Sequence, residues 1–249
     1  NNHSFDLARE GYLNLLLAQH KRSRNPGDSD DMIRSRQRFL DAGYYSLLSD
    51  AIVSEVAESP KGFDQTLIDL GCGEGHYMQQ LRKASTDLKL LGIDISKFAV
   101  RLAAKRKMDA RLVVDSVFNL PLFENRVDTA ISVFSPVSSE ETSRILKPGG
   151  TLIMVGPGEQ HLSGLTELIY DKAVLHAGNP LEETAQLTLE ESIEIKDDIS
   201  VHGSDILDLL TMTPYYWHTK PEQQEMLAKR EKLETVIHFY IKIYKNQNT

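Results

Sequence analysis

Three acids and three glycines carry the chemistry of this chain. Asp69 lies in the apolar run LIDL at 67–70, just ahead of Gly71, Gly73 and Gly75. Asp94 closes a second apolar run, LLGID, nineteen residues past Gly75, and Asp115 closes a third, ARLVVD. Strand, glycine turn, helix, strand and acid is the layout of a nucleotide-binding βαβ unit. Glycines allow a tight turn and let backbone N–H groups come close to a ligand. The spacing here is G-x-G-x-G, not the G-x-G-x-x-G that cradles a pyrophosphate. Together with the acid inside the first strand end, it points to S-adenosylmethionine, which has a ribose and an adenine but no pyrophosphate. Asp69 would meet its ammonium, and Asp94 would accept from both ribose hydroxyls. Asp115, with Ser116 beside it, would accept from the adenine amino group. Ile95 and Val117 could flank the ring, or simply fill core.

Other residues are candidates on position. His161 follows the turn Gly156-Pro157-Gly158, on the side of the sheet where the donor would bind, and Asp128 opens the fourth strand of this unit. Each is a candidate general base; the plain alternatives are a surface histidine and a structural acid. Cys72 reads as a small packing residue. At the expected substrate end stand Phe134-Ser135-Pro136. The Asn/Asp-Pro-Pro-aromatic tetrapeptide of amino-group nucleic-acid methyltransferases is absent, which leaves ring-nitrogen, oxygen or carbon acceptors open. Lys21, Arg22 and Arg24 cluster beside Pro26-Gly27 in an N-terminal loop; a solvated loop or a phosphate grip would both look like this.

These residues need a sheet to hold them. From Thr66 apolar runs alternate with helical patterns, as in a parallel sheet with helices on both faces. TLIDL, LKLLGID, ARLVVDS, VDTAISVF and TLIMVG are the successive strands, 192–201 a sixth, and the alternating VIHFYIKIY an antiparallel seventh. Ser138 or Ser139 caps the helix ahead of Lys147-Pro148-Gly149-Gly150. Residues 32–57 repeat apolar side chains at three- and four-residue steps, with Gly43 between two helices. Residues 5–18 look like packing elements outside the sheet, and the stretch to about 188 reads as mostly helical, with a loop at 178–180. The division is therefore an N-terminal arm, 1–60, and a donor-binding domain, 61–249.

The chain has 249 residues, 41% hydrophobic and 26% charged, which suits one α/β domain with an appendage. A net charge of −8 argues against a broad non-specific nucleic-acid surface, but not against a local basic patch. No apolar run nears the ~20 residues of a membrane span. A single cysteine allows no internal disulfide and fits a reducing, cytoplasmic setting. The opening Asn1-Asn2-His3 is read as an incomplete N-terminus.

The runs HSFDLAREGYLNLLLAQHKRSRNPGDS, RFLDAGYY, LIDLGCGEGHY, LKPGG, PGEQHL and MTPYYW together resemble the bacterial 23S ribosomal RNA (guanine-N1) methyltransferases. The resemblance covers essentially the whole chain. It implies a Rossmann-like class I methyltransferase with a seven-stranded, mostly parallel sheet and an N-terminal helical arm. It implies methyl transfer to N1 of a guanine in a 23S rRNA hairpin, with neither DNA nor a membrane as partner and with a homodimer left open. By motif match, Tyr45, Gly73-Glu74 and His161 fall on the family's cofactor-contacting positions. Family members carry an N-terminal zinc site of three Cys and one His; His3 matches the last ligand, and without the Cys ligands the site cannot form in this chain. The target base must be unpaired or flipped out, and Tyr45, Phe134 or Trp217 could stack on it. A small-molecule methyltransferase and a non-catalytic donor-binding module are the alternatives from the residues alone.

Overall fold

The structure is a computed structural model that describes residues 5–16, 26–170, 181 and 186–248. His3, the Lys21/Arg22/Arg24 cluster and the loop expected at 178–180 lie outside the described residues. The strands are β1 Tyr12–Asn14, β2 Thr66–Leu70, β3 Lys89–Asp94, β4 Ala110–Val114, β5 Val127–Val133, β6 Leu146–Pro157, β7 Leu187–His202 and β8 Lys232–Asn246. They form one sheet in the order β1-β4-β3-β2-β5-β6-β8-β7. All pairings are parallel except those made by β8, which runs antiparallel to β6 and to β7.

β2 sits between β3 and β5, and its last four residues are buried. A central parallel strand is covered on both faces, so TLIDL reads as a continuous apolar run rather than an alternation. β8 is antiparallel, as the sequence predicts, but its alternation is interrupted where Ile237, His238 and Phe239 are all buried.

Two sequence expectations need correction. The expected seven strands are present, but an eighth joins them: residues 12–14, expected outside the sheet, pair in parallel with Leu112–Val114. Without β1, β4 would present a bare edge; Leu15 and Leu16 extend the cover by both donating N–H to Val114 O, at 3.0 and 3.1 Å. Three residues are too few to show a period. At the other edge, the sixth strand, expected over 192–201, is longer: β7 runs Leu187–His202.

The helices are α1 Asp30–Asp41, α2 Ser46–Glu58, α3 His76–Ala84, α4 Lys97–Lys105, α5 Ser139–Ile145, α6 Ser163–Ile169, α7 Asp205–Thr211 and α8 Pro221–Ala228. Ser29 caps α1 by accepting the Met32 N–H at 3.2 Å, and Asp30 and Asp31 sit at its positive end. Ser96 caps α4 and Ser138, rather than Ser139, caps α5. Gly43, at φ +89°, separates α1 from α2 as expected. Phe39, Tyr45, Leu48 and Ile52 of this helical pair share one core with Leu67, Ile131 and Phe239 of the sheet. Each such side chain contributes roughly 1.5–3 kcal/mol on full burial. The arm is thus welded to the sheet over α1 and α2.

Candidate active site

The carboxyl ends of β2, β3 and β4 bring Asp69, Asp94 and Asp115 together around the glycine loop. β2 and β3 pair with Leu70 opposite Ile93, and the chain then turns at Gly71, whose N–H donates to Ile93 O at 2.8 Å. Gly71 has φ +79°, and a Cβ there would collide with the Ser135 hydroxyl. Any other residue at 71 would therefore be strained and would push the β5 end away from the loop.

Asp69 is 2% exposed, and its carboxylate has no hydrogen-bond partner among the described residues. Burial, with Asp94 and Glu74 nearby, pushes its carboxyl up to about 8. Asp94 accepts the Gly73 N–H at 2.9 Å through Oδ2 and the Ser96 N–H at 2.7 Å through Oδ1. Burial raises its carboxyl too, opposed by those two backbone bonds. One lone pair on each oxygen is left for a vicinal diol. Asp115 Oδ1 accepts the Ser116 N–H at 2.8 Å, and the Asp115 N–H reaches Asp94 O at 3.1 Å, which locks the two strand ends side by side. Ile95 and Val117 flank these acids in sequence; Ile95 is half-buried and Val117 is buried.

Glu74 is buried, and its carboxylate belongs to Arg106. Arg106 Nε donates to Glu74 Oε2 at 2.8 Å and to the Glu74 carbonyl at 2.9 Å, and a second guanidinium nitrogen also reaches Oε2. The pair clamps the glycine loop to α4 through the Glu74 carbonyl and Oε2. Cys72 is buried, and burial pushes its thiol well up, as befits a packing residue rather than a nucleophile.

A second cluster faces the first from β5, β6 and β8. Tyr45 is 3% exposed and its hydroxyl lies 3.2 Å from His161 Nε2. The His238 backbone N–H donates to His161 Nδ1 at 3.2 Å. A backbone N–H can only donate, so Nδ1 is the acceptor and neutral His161 carries its proton on Nε2, which donates to Tyr45. His161 therefore has no lone pair directed at a substrate and fits a positioning role, not that of a base. Phe239 packs against both Tyr45 and His161, with ring centroids 5.0 and 4.8 Å apart. Phe134, at the β5 end, lies 5.8 Å from His161 and is 44% exposed. Its φ of +54° is unusual for a bulky residue and marks a strained turn beside the site.

Asp128 is elsewhere. It opens β5 at the amino end of the sheet, where Lys61 donates to it at 2.6 Å, Lys147 at 2.9 Å and the Thr66 N–H at 3.0 Å. Burial works the other way, but these bonds hold its carboxyl below the usual range. The candidacy of Asp128 as base is corrected: it is a tether between β2, β5 and the Lys147 turn. Trp217, on the 3₁₀ turn Pro214–His218, is 64% exposed.

Sequence reasoning missed Arg36. It is half-buried on α1, pairs with Asp28 at 2.7 Å and donates to Met212 O at 3.1 Å. Its charge draws down the carboxyls of Asp94 and Glu74 and the phenols of Tyr45 and Tyr77. Among three arginines at alternate positions, 34, 36 and 38, nothing local singles it out.

A glycine cradle with acids closing three adjacent parallel strands is the donor site of a class I methyltransferase. A methyltransferase-domain family model matches residues 63–226, and a zinc-ribbon model described as RlmA, N-terminal matches 1–24. The Streptomyces fradiae 23S rRNA (guanine(748)-N(1))-methyltransferase is 32% identical over 92% of this chain and 82% of its own length. A Micromonospora griseorubida relative, provisionally named for the same class of reaction, is 30% identical over 88% of this chain and 79% of its own. A chain of the Haloferax volcanii complex between the Trm112 methyltransferase activator and a methyltransferase shares the fold at a TM-score of 0.54 and 20% identity, over 89% of this chain and 99% of that one. The chain belongs to the 23S rRNA (guanine-N1)-methyltransferase family.

The residues present fit S-adenosylmethionine: a buried carboxylate without a partner, a second with free lone pairs, and a loop that tolerates no side chain at 71. The zinc-ribbon match falls on residues 1–24, of which 5–16 are described. The single cysteine, Cys72, lies in the glycine loop, and no group of three or more His, Cys, Asp or Glu side chains among the described residues could hold a metal ion. No helix among the described residues is long and apolar enough to cross a membrane.

Proposed function

We propose that this chain methylates ring N1 of a guanine in a 23S rRNA hairpin. The observation that carries this reading is the pairing of this donor cleft with a relative, named for that reaction, that aligns over 92% of this chain and 82% of its own length. When bound, S-adenosylmethionine supplies an already activated methyl group, so the protein's work is mostly alignment. Asp94 holds the ribose diol, Asp115 and Ser116 meet the adenine, and Asp69 meets the ammonium. Arg36 provides positive field over the same cleft. His161, fixed by His238 and Tyr45, shapes the wall toward the acceptor. Phe134 is the aromatic exposed beside that wall, and of the three stacking candidates it takes the flipped guanine: Tyr45 is buried, and Phe134 is the exposed one that packs against His161. Neither His161 nor Asp128 serves as base, so the N1 proton leaves to solvent at this open end of the sheet.

In this reading residues 1–60 help grip the RNA, with Lys21, Arg22 and Arg24 on phosphates, and 61–249 bind the donor, although α1 and α2 are packed into the donor domain's core. A cytoplasmic setting follows from the substrate, and a homodimer is compatible with it. The test is methyl transfer to protein-free 23S rRNA, mapped by primer extension, because a methyl on N1 blocks pairing. A stop at a hairpin guanine supports the reading. Donor binding with no stop anywhere on the rRNA refutes it.

A further inference from the structure

The net charge of −8 leaves open where an RNA could land. The sheet order separates the charges. The β7 edge carries Glu190, Glu191, Glu194, Asp197 and Asp198 against Lys196 alone. Near the opposite edge, α4 packs on β3, β4 and β1. It contains three cations and no acid: Lys97, Arg101 and Lys105. They recur every four residues, so they line one stripe, about 6 Å apart along the axis. Like charges at this spacing destabilise a helix. None of the three has an ion-pair partner among the described residues, whereas Arg106 at the helix end is fully engaged by Glu74 and Asp41.

α1 adds a fourth cation. Arg36 and Arg38 are paired with Asp28 and Asp208, but Arg34 has no such partner among the described residues. Instead the guanidinium carbons of Arg34 and Arg101 lie 4.9 and 5.2 Å from the centre of one ring, that of Phe98. The ring orders both cations without neutralising either. Arg101 Nε is moreover buried with no acceptor. Asp30, Asp31 and Glu10 are the neighbouring acids in the flanking segments, and none lies within ion-pair distance of these four cations. The stripe also leads to the reaction site: Lys97 follows Ser96, whose N–H holds the ribose acid Asp94, and the returning arm presses Gly27 onto Ser96 and Ile95.

We propose that Arg34, Lys97, Arg101 and Lys105, ordered around Phe98, form the phosphate-binding track that carries the RNA backbone to the donor cleft. The proposal rests on the rRNA reading above. Guanidinium and ammonium groups at regular steps suit successive phosphates on a strand, and such contacts position RNA without reading its sequence.

The test measures binding of a 23S rRNA hairpin fragment against salt, for the wild-type chain and for a variant with Arg34, Lys97, Arg101 and Lys105 all changed to Ala. The variant should bind about 30- to 100-fold more weakly near 0.1 M salt, and its plot of log affinity against log salt should be shallower by about 2 to 3. Its affinity for S-adenosylmethionine should not change. Should the quadruple variant fold poorly, Lys97→Glu with Lys105→Glu alters only exposed side chains and should weaken binding in the same direction. Wild-type binding and methylation with unchanged affinity and slope in the variants would overturn the track but spare the rRNA reading. A wild-type chain that binds the donor but neither binds nor methylates RNA would overturn both.

Discussion

In the proposed donor site, Asp69 should make donor binding a proton-releasing event. Its carboxyl is buried, faces Asp94 and Glu74, and is pushed up to about 8. At pH 7 the empty site therefore holds it about nine-tenths protonated. A bound ammonium favours the ionised form, so the proton must leave as the donor enters. Ionising it at pH 7 costs about 1.4 kcal/mol, which weakens the apparent Kd about tenfold relative to a pH well above 8. The sign is set by the raised value: affinity grows as pH rises toward about 8 and levels off beyond it. Calorimetry at pH 7 in buffers of different ionisation enthalpy should report release of about 0.9 proton per donor bound. The donor's own α-amino group titrates nearby, near 8 for such amines, and contributes an opposite trend at high pH. Asp69→Asn retains that background and removes the carboxyl, so the difference between the two proteins isolates Asp69. Equal proton release by wild type and Asp69→Asn, or a Kd with no difference in pH dependence between pH 6 and 8, would refute the reasoning.

Asp94→Ala removes the proposed diol acceptor and also frees the Gly73 and Ser96 N–H groups; donor affinity should fall by about 1–3 kcal/mol in calorimetry. Arg106→Ala leaves Glu74 charged and buried, and urea unfolding should show a loss of about 3–5 kcal/mol. Tyr45→Phe removes the buried hydroxyl that bonds His161 Nε2 and should cost about 0.5–1.5 kcal/mol in the same assay. Phe134→Ala should preserve donor affinity while slowing methyl transfer to rRNA; unchanged transfer would remove the ring from the substrate path.

The clustering of strand ends that forms the proposed donor site is legible in the chain because its parts are local. Gly71, Gly73, Asp94 and Asp115 each sit at a strand end set by an apolar run, and parallel pairing in register then brings those ends together without further information. The caps, the Gly43 break and the antiparallel last strand follow from short-range rules in the same way. Tertiary structure decided what depended on partners distant in sequence. His161 could be read as a base until the backbone N–H of His238, seventy-seven residues away, occupied its Nδ1. Glu74 matched a ligand position, but Arg106 holds its carboxylate, and Asp128 proved to be a tether at the far end of the sheet. β1 is three residues long, too short to show a period, and is defined by its pairing with β4. Arg34, Arg36 and Arg38 look alike in sequence; folding pairs two of them and leaves the third stacked on Phe98. Residue type and strand-end position are written in the chain, whereas the protonation, pairing and availability of a side chain are set by whatever the fold places against it.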